Sequence, residues 1–139
     1  MTEKLFHGLE RTPPPPTLLP VLQKFKSAYL VWFAYYPNIA KVHRHTLARR
    51  IDDALIECIE AMAAASFAPR TDKLPSVRLA IRKLDTVKIL LLVLWEAHSL
   101  DTKKYSALSQ PLDEVGRMLG GWHGQLVKQN SPDNKSGEK

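Results

Sequence analysis

The stretch PSVRLAIRKLDTVKILLLVLWEAH, residues 75–98, decides the fold. Val77, Ala80, Leu84, Val87, Leu91, Leu94 and His98 recur three and four apart, a heptad-like seam on one face of a helix. Proline at position 75 suits the first helical turn. In the second half of the stretch Ile89, Leu90, Leu92, Val93 and Trp95 place apolar side chains on the other faces too. A helix that is apolar all round must be covered all round. A four-helix monomer leaves one face of each helix wet, so this half of the helix calls for a second subunit. The alternative is a central helix crowded by long neighbours.

Three further helical segments flank this one, and no segment has the alternation of a strand. The first spans about Leu18 to Tyr36, with Leu18, Leu22, Phe25, Tyr29, Trp32 and Tyr36 as its stripe. Thr17 is placed to cap it, Pro20 falls in its first turn, and Pro37 ends it. The second spans about His43 to Ser66 through Leu47, Ile51, Ala54, Cys58, Met62 and Ala65. Its AMAAASFA end is small enough for a close neighbour. The fourth begins at Asp101 or Thr102 and runs to about Lys128 through Tyr105, Leu108, Leu112, Val115, Leu119, Trp122 and Leu126. Pro111 should kink or restart it. Short connections between four helices predict an all-α, antiparallel up-down-up-down bundle over residues 17–128. Residues 1–16 read as an arm in which Pro13–Pro16 favour polyproline II. Residues 129–139 read as a disordered tail.

The chain has 139 residues, 45% hydrophobic and 24% charged, enough for one domain with a real core. Its single cysteine, Cys58, excludes an internal disulfide and a cysteine-based zinc site, and points to a reducing, cytoplasmic setting. The longest apolar run, Ile89–Trp95, is far short of the roughly 20 residues that span a bilayer, and the N-terminus lacks the apolar core of a signal peptide. Catalytic patterns do not emerge. His43 and His45 are two apart and leave a helix on different sides. Glu57 and Glu60 have no Glu-x-x-His companion, so no di-iron site and no other metal site is expected. Their expected role is surface pairing with the neighbouring arginines. Neither a phosphate-binding glycine loop nor a GxSxG elbow is present. Cys58 reads as a buried, inert thiol. These readings predict a non-enzyme without a cofactor.

The cations are more telling. The chain carries 20 Lys+Arg against 14 Asp+Glu, a net +6. Residues 41–50, KVHRHTLARR, hold four cations and no acid, and residues 70–83 hold five cations and one acid. Both windows fall near predicted helix N-termini, where the macrodipole disfavours cations by a few tenths to about 1 kcal/mol each. Arg44, Arg49, Arg50, Arg78, Arg82 and Lys83 therefore read as a surface for an external anion such as a phosphate backbone, against the alternative of a solvated face with local ion pairs. A second candidate feature is the run of Gly116, Gly120 and Gly124, with Gly121 beside it. Interior helix glycines cost up to about 1 kcal/mol each. Spaced by four, they clear a stripe for another backbone, unless Gly120 or Gly121 simply ends the helix.

The stretch Leu112-Asp113-Glu114-Val115-Gly116-Arg117-Met118-Leu119-Gly120-Gly121-Trp122 resembles the C-terminal signature of the Avd-like four-helix bundle family. These are the accessory variability determinants of diversity-generating retroelements, with relatives encoded in intervening sequences of bacterial ribosomal RNA genes. Tyr36-Pro37 before a basic helix start, Leu84-Asp85 to Leu92 with Trp95-Glu96, and Leu100 with Tyr105 are similar to other family landmarks, so the likeness covers about residues 18–127. The resemblance implies a homopentameric barrel of four-helix bundles without catalytic activity. It implies a basic accessory protein that binds the element's reverse transcriptase, template RNA and cDNA, and supports mutagenic copying in which adenines are miscopied. Five copies would carry about +30, a strong field for RNA. Leu90, Val93, Trp95, Gly116, Gly120 and Gly124 are the residues expected at the assembly or partner interface. The alternative within the resemblance is a protein-interaction bundle of the ribosomal-intervening-sequence type with no direct nucleic-acid role.

Overall fold

The computed structural model describes residues 19–131. The arm expected over residues 1–16, the Thr17 cap and most of the expected tail lie outside the described residues. Four long helices run up, down, up and down: α1 (Pro20–Tyr35), α3 (Leu47–Phe67), α4 (Lys73–Glu96) and α5 (Thr102–Gln129). A one-turn helix, α2 (Lys41–Arg44), and two short 3-10 turns at 36–38 and 70–72 serve the connections. No strand occurs among the described residues. Helices adjacent in sequence pack side by side, with α3 against α4 and α4 against α5. The ring closes where α1 lies on α5, with a smaller contact on α3.

The sequence stripes become the interior. Phe25 and Trp32 of α1, Ile51, Cys58 and Met62 of α3, Val87, Leu91 and Leu94 of α4, and Leu112, Val115 and Leu119 of α5 are all buried. No polar or charged side chain among the described residues is buried, so the bundle axis is dry. Polar groups work at its edges instead. Asp52 Oδ1 accepts from Tyr29 Oη at 2.9 Å and from Trp32 Nε1 at 3.1 Å, which pins α1 to α3. Cys58 Sγ donates to the Ala80 carbonyl at 3.3 Å between α3 and α4. Burial pushes the Cys58 thiol up to about 12. Burial and then the Asp52 hydrogen bond push the Tyr29 phenol up to about 12.

Three features differ from the sequence reading, each for a local reason. The second helix is not continuous from His43, because the backbone breaks at His45 and Thr46. Tyr36 Oη donates to the Arg44 carbonyl, the Arg44 guanidinium donates to the Ile39 carbonyl, and His43 Nδ1 is hydrogen-bonded to Ser99 Oγ. These bonds hold the one-turn α2 at its own angle as a corner piece. The third helix starts at Lys73, so Pro75 is its third residue; an N–H there would have no intrahelical acceptor, so proline costs nothing. The fourth helix passes through Pro111 without restarting. Ala107, whose carbonyl loses its helical partner, is exposed and can bond to water instead. That same helix continues past Gly120 and Gly121 to Gln129, in line with its expected span to about Lys128, so the glycines do not end it.

Helix ends are closed by side chains and by a tight turn. Asp101 caps α5 by accepting from Lys104 N at 2.8 Å. Lys73 Nζ donates to the Ala65 carbonyl at 2.7 Å, taking up an orphan acceptor at the end of α3. At the end of α4, Ser99 N reaches the Leu94 carbonyl at 3.1 Å and His98 N the Trp95 carbonyl at 3.0 Å. This is a Schellman motif, and it places His98 at φ 63°, a region that favours glycine.

Two outcomes are expected. His98→Gly relieves the left-handed strain and stabilises the chain by up to about 1 kcal/mol, measured by urea unfolding. The second concerns alkali. Folded Cys58 and Tyr29 keep protons that the unfolded chain releases near pH 9 and 10, so stability falls as pH rises from about 9 to about 12. Urea midpoints across that range check it, and a thiol reagent should label Cys58 only as the chain unfolds.

Candidate nucleic-acid and assembly surface

The six cations expected to meet an anion do not form one patch. Arg49 and Arg50 stand in the first turn of α3, as the macrodipole argument requires, and both are exposed. Arg44 is half-buried and points its guanidinium at Ile39 O, with Nε at 3.3 Å and Nη2 at 3.1 Å. Its role is to hold the corner before α3. Lys83 pairs with Glu57 across α3 and α4. Arg78 Nε donates to His123 Nε2 at 3.4 Å, linking α4 to α5. Arg78, Arg82 and Lys83 lie in the second and third turns of α4, beyond the reach of its dipole. Their placement is explained by the surface and not by the helix end.

Arg50 and Lys83 do meet, in a cleft of about 440 Å³ between α3 and α4. Asp53 and Glu57 line the same cleft, so two cations face two carboxylates and the cleft as a whole is close to neutral. An anion entering it would have to displace Glu57 from Lys83. The expected pairing of Glu57 with Arg49 or Arg50 on its own helix gives way to this inter-helix bridge, because the i−7 and i−8 spacings exceed one helical neighbour.

The outer face of α4 is the more organised surface. Arg78, Arg82, Thr86, Ile89 and Val93 follow one another at steps of four, four, three and four. All five are exposed. The stripe is cationic toward the start of the helix and aliphatic toward its end. Ile89 is 61% exposed and Val93 44%, with Leu92 beside them. Among the expected interface residues, Val93 is thus open to solvent, whereas Leu90 is half-buried against the core and faces the cleft. Trp95 is also engaged: its Nε1 donates to Thr102 Oγ1 at 3.0 Å and its ring lies 5.7 Å from that of Tyr105. Ile89 was the residue to single out, since it lies four before Val93 and seven after Arg82.

The glycines divide in the same way. A Cβ built on Gly116 would come within 2.8 Å of Lys88 Nζ, the movable end of a side chain, and within 3.6 Å of Leu84 Cδ2, an ordinary packing contact, so an added methyl needs only Lys88 to swing aside. Gly120, Gly121 and Gly124 have nothing within 4 Å of such a Cβ. Within the bundle the atoms nearest to the Gly116 Cβ position are side-chain atoms and not another backbone, and beyond Gly116 the glycines are open surface.

Alanine at Gly120 or Gly124 should therefore raise stability by up to about 1 kcal/mol each, because helix propensity improves and nothing is displaced. Thermal unfolding of the two variants checks this, and a loss of stability would place the glycine against something the single chain does not contain.

No metal-binding group of three or more His, Cys, Asp or Glu side chains occurs among the described residues, and no helix among them is long and apolar enough to cross a membrane. Comparison with family models, with curated proteins and with solved structures finds no match to the chain.

Proposed function

We propose that the chain is a non-catalytic accessory protein of a diversity-generating retroelement. It assembles as a basic homopentamer, binds the reverse transcriptase with template RNA and cDNA, and supports mutagenic reverse transcription in the cytoplasm. The observation that carries the reading is the outer stripe of α4. Ile89, Leu92 and Val93 are large aliphatics open to water, at a cost of about 25 cal/mol for each Å² left uncovered. They lie three and four residues apart on one face of the helix, which suits burial against a second copy. The resemblance of residues 112–122 to the Avd-like signature supplies the family, and the up-down four-helix fold agrees with it. Arg49 and Arg82, with the part of the Arg78 guanidinium not bonded to His123, are the exposed cations that remain for a phosphate backbone. The body then works by holding template and polymerase together, which raises the effective concentration of each for the other.

A second reading is favoured by one observation. Arg44 and Lys83 are engaged within the chain, and the Arg50 cleft is balanced by acids, so half of the expected cations serve the fold. On that reading the bundle recognises a protein and has no direct nucleic-acid role.

One experiment addresses both. The native mass of the purified chain is measured after nuclease treatment in high salt, and RNA binding is measured alongside. A salt-resistant species near five times 15.7 kDa is expected, with Ile89→Glu/Val93→Glu reducing it to monomer while helicity is kept. Arg49→Glu/Arg78→Glu/Arg82→Glu should weaken RNA binding about tenfold or more, increasingly as salt is lowered. A wild-type monomer overturns the assembly. Full-strength RNA binding by the triple variant overturns the site, and no RNA binding by the wild-type pentamer leaves the protein-interaction reading in its place.

A further inference from the structure

The four long helices are unequal. α1 has 16 residues and α5 has 28, or about 24 and 42 Å of helix. Their register is fixed by two contacts. Lys104 lies over the Tyr35 ring, 5.5 Å from its centroid, and Lys24 Nζ meets Glu114 Oε2 at 2.9 Å. In that antiparallel register Leu19 falls opposite about residue 119. Residues 120–129 of α5, about 15 Å of helix, run on past the start of α1. The fourth corner of the bundle is open there, as a groove of about 550 Å³. Leu19 and Val21 from the start of α1, Ser66 from the end of α3, and Met118, Gly121 and Trp122 from α5 line it.

We propose that this groove is the seat of the chain's own proline segment, Pro13–Leu18, running on from α1 along α5. The segment enters at the right place, because Leu19, its immediate successor, is part of the groove wall. It has the right length. A polyproline II strand advances about 3.1 Å per residue, so five or six residues cover the 15 Å that α1 leaves bare. It has the right chemistry. Polyproline II leaves its carbonyls without internal partners and docks on aromatic surfaces that carry hydrogen-bond donors. Trp122 offers a half-buried ring, and its indole N–H makes no hydrogen bond to a described residue. Gln125, exposed at the rim one turn further on, adds a free amide. Gly121 keeps the wall between them low, since no Cβ stands there and nothing lies within 4 Å of where one would be. Gly121, beside the glycine run, then has a purpose within one subunit: it keeps the groove open for the segment.

The test uses the full chain labelled with 5-fluorotryptophan, whose three fluorine signals report Trp32, Trp95 and Trp122 separately. Replacing Pro13, Pro14, Pro15 and Pro16 with serine should move the Trp122 signal and leave those of Trp32 and Trp95 in place, the latter two showing that the bundle is intact. In a Gly121→Leu chain, where a side chain fills the groove, the same replacement should no longer move Trp122. An unchanged Trp122 signal on proline replacement overturns the proposal. So does recovery of the original signal when unlabelled full chain is mixed with the labelled serine variant, which would give the groove to the arm of another copy. A Trp122 signal that ignores the serines but responds to an added proline-rich peptide likewise overturns it and gives the groove to a different protein.

Discussion

The dryness of the bundle axis governs the rest of the structure. With no polar side chain buried among the described residues, the core can hold four helices together but cannot choose their register, since one layer of leucines and alanines packs much like the next. Choice falls to polar contacts at the edges. Asp52 takes two donors from α1, Lys24 meets Glu114, Lys88 Nζ meets Asp113 at 3.3 Å, and Lys83 meets Glu57. Each exposed ion pair contributes under about 1 kcal/mol to stability. Their value is positional, because a slipped register would break several at once and leave a partly buried carboxylate at Asp52 without donors.

This division explains what could be read from residues alone. Seams such as Val77–Leu94 and Leu108–Leu119 are one-dimensional patterns, and they became the interior. Cys58 on its stripe became a buried thiol. The corner between α1 and α3 was not legible. It is made by Tyr36 reaching Arg44 O and by His43 reaching Ser99, and the second of these joins residues 56 apart. Nothing in the local pattern at 41–47 announces a break, since the residues would be acceptable in a helix.

The candidate surface was less legible than the fold for the same reason. Charge in a window of sequence says how many cations there are, and not what lies opposite them on the next helix. Arg44 and Lys83 look free in sequence and are engaged in space. Val93 lies outward at 44% exposure, whereas Leu90, three residues earlier, faces the α3 side. One residue of rotation on a helix is about 100°, enough to exchange an inner for an outer position.

The closing of the ring by α1 on α5 has a kinetic side. The neighbouring pairs α3–α4 and α4–α5 join segments linked by a few residues, so they can assemble through local encounters. The α1–α5 pairing joins the two ends of the domain, and its loop-closure entropy is offset only once both partners are in place. On loop-closure entropy alone, the first helix docks late and opens early. Opening of α1 would uncover Phe25 and Trp32 together with the faces of α3 and α5 that they cover. A partner that inserted a helix of its own would find in that opened form a three-helix template already set to receive it.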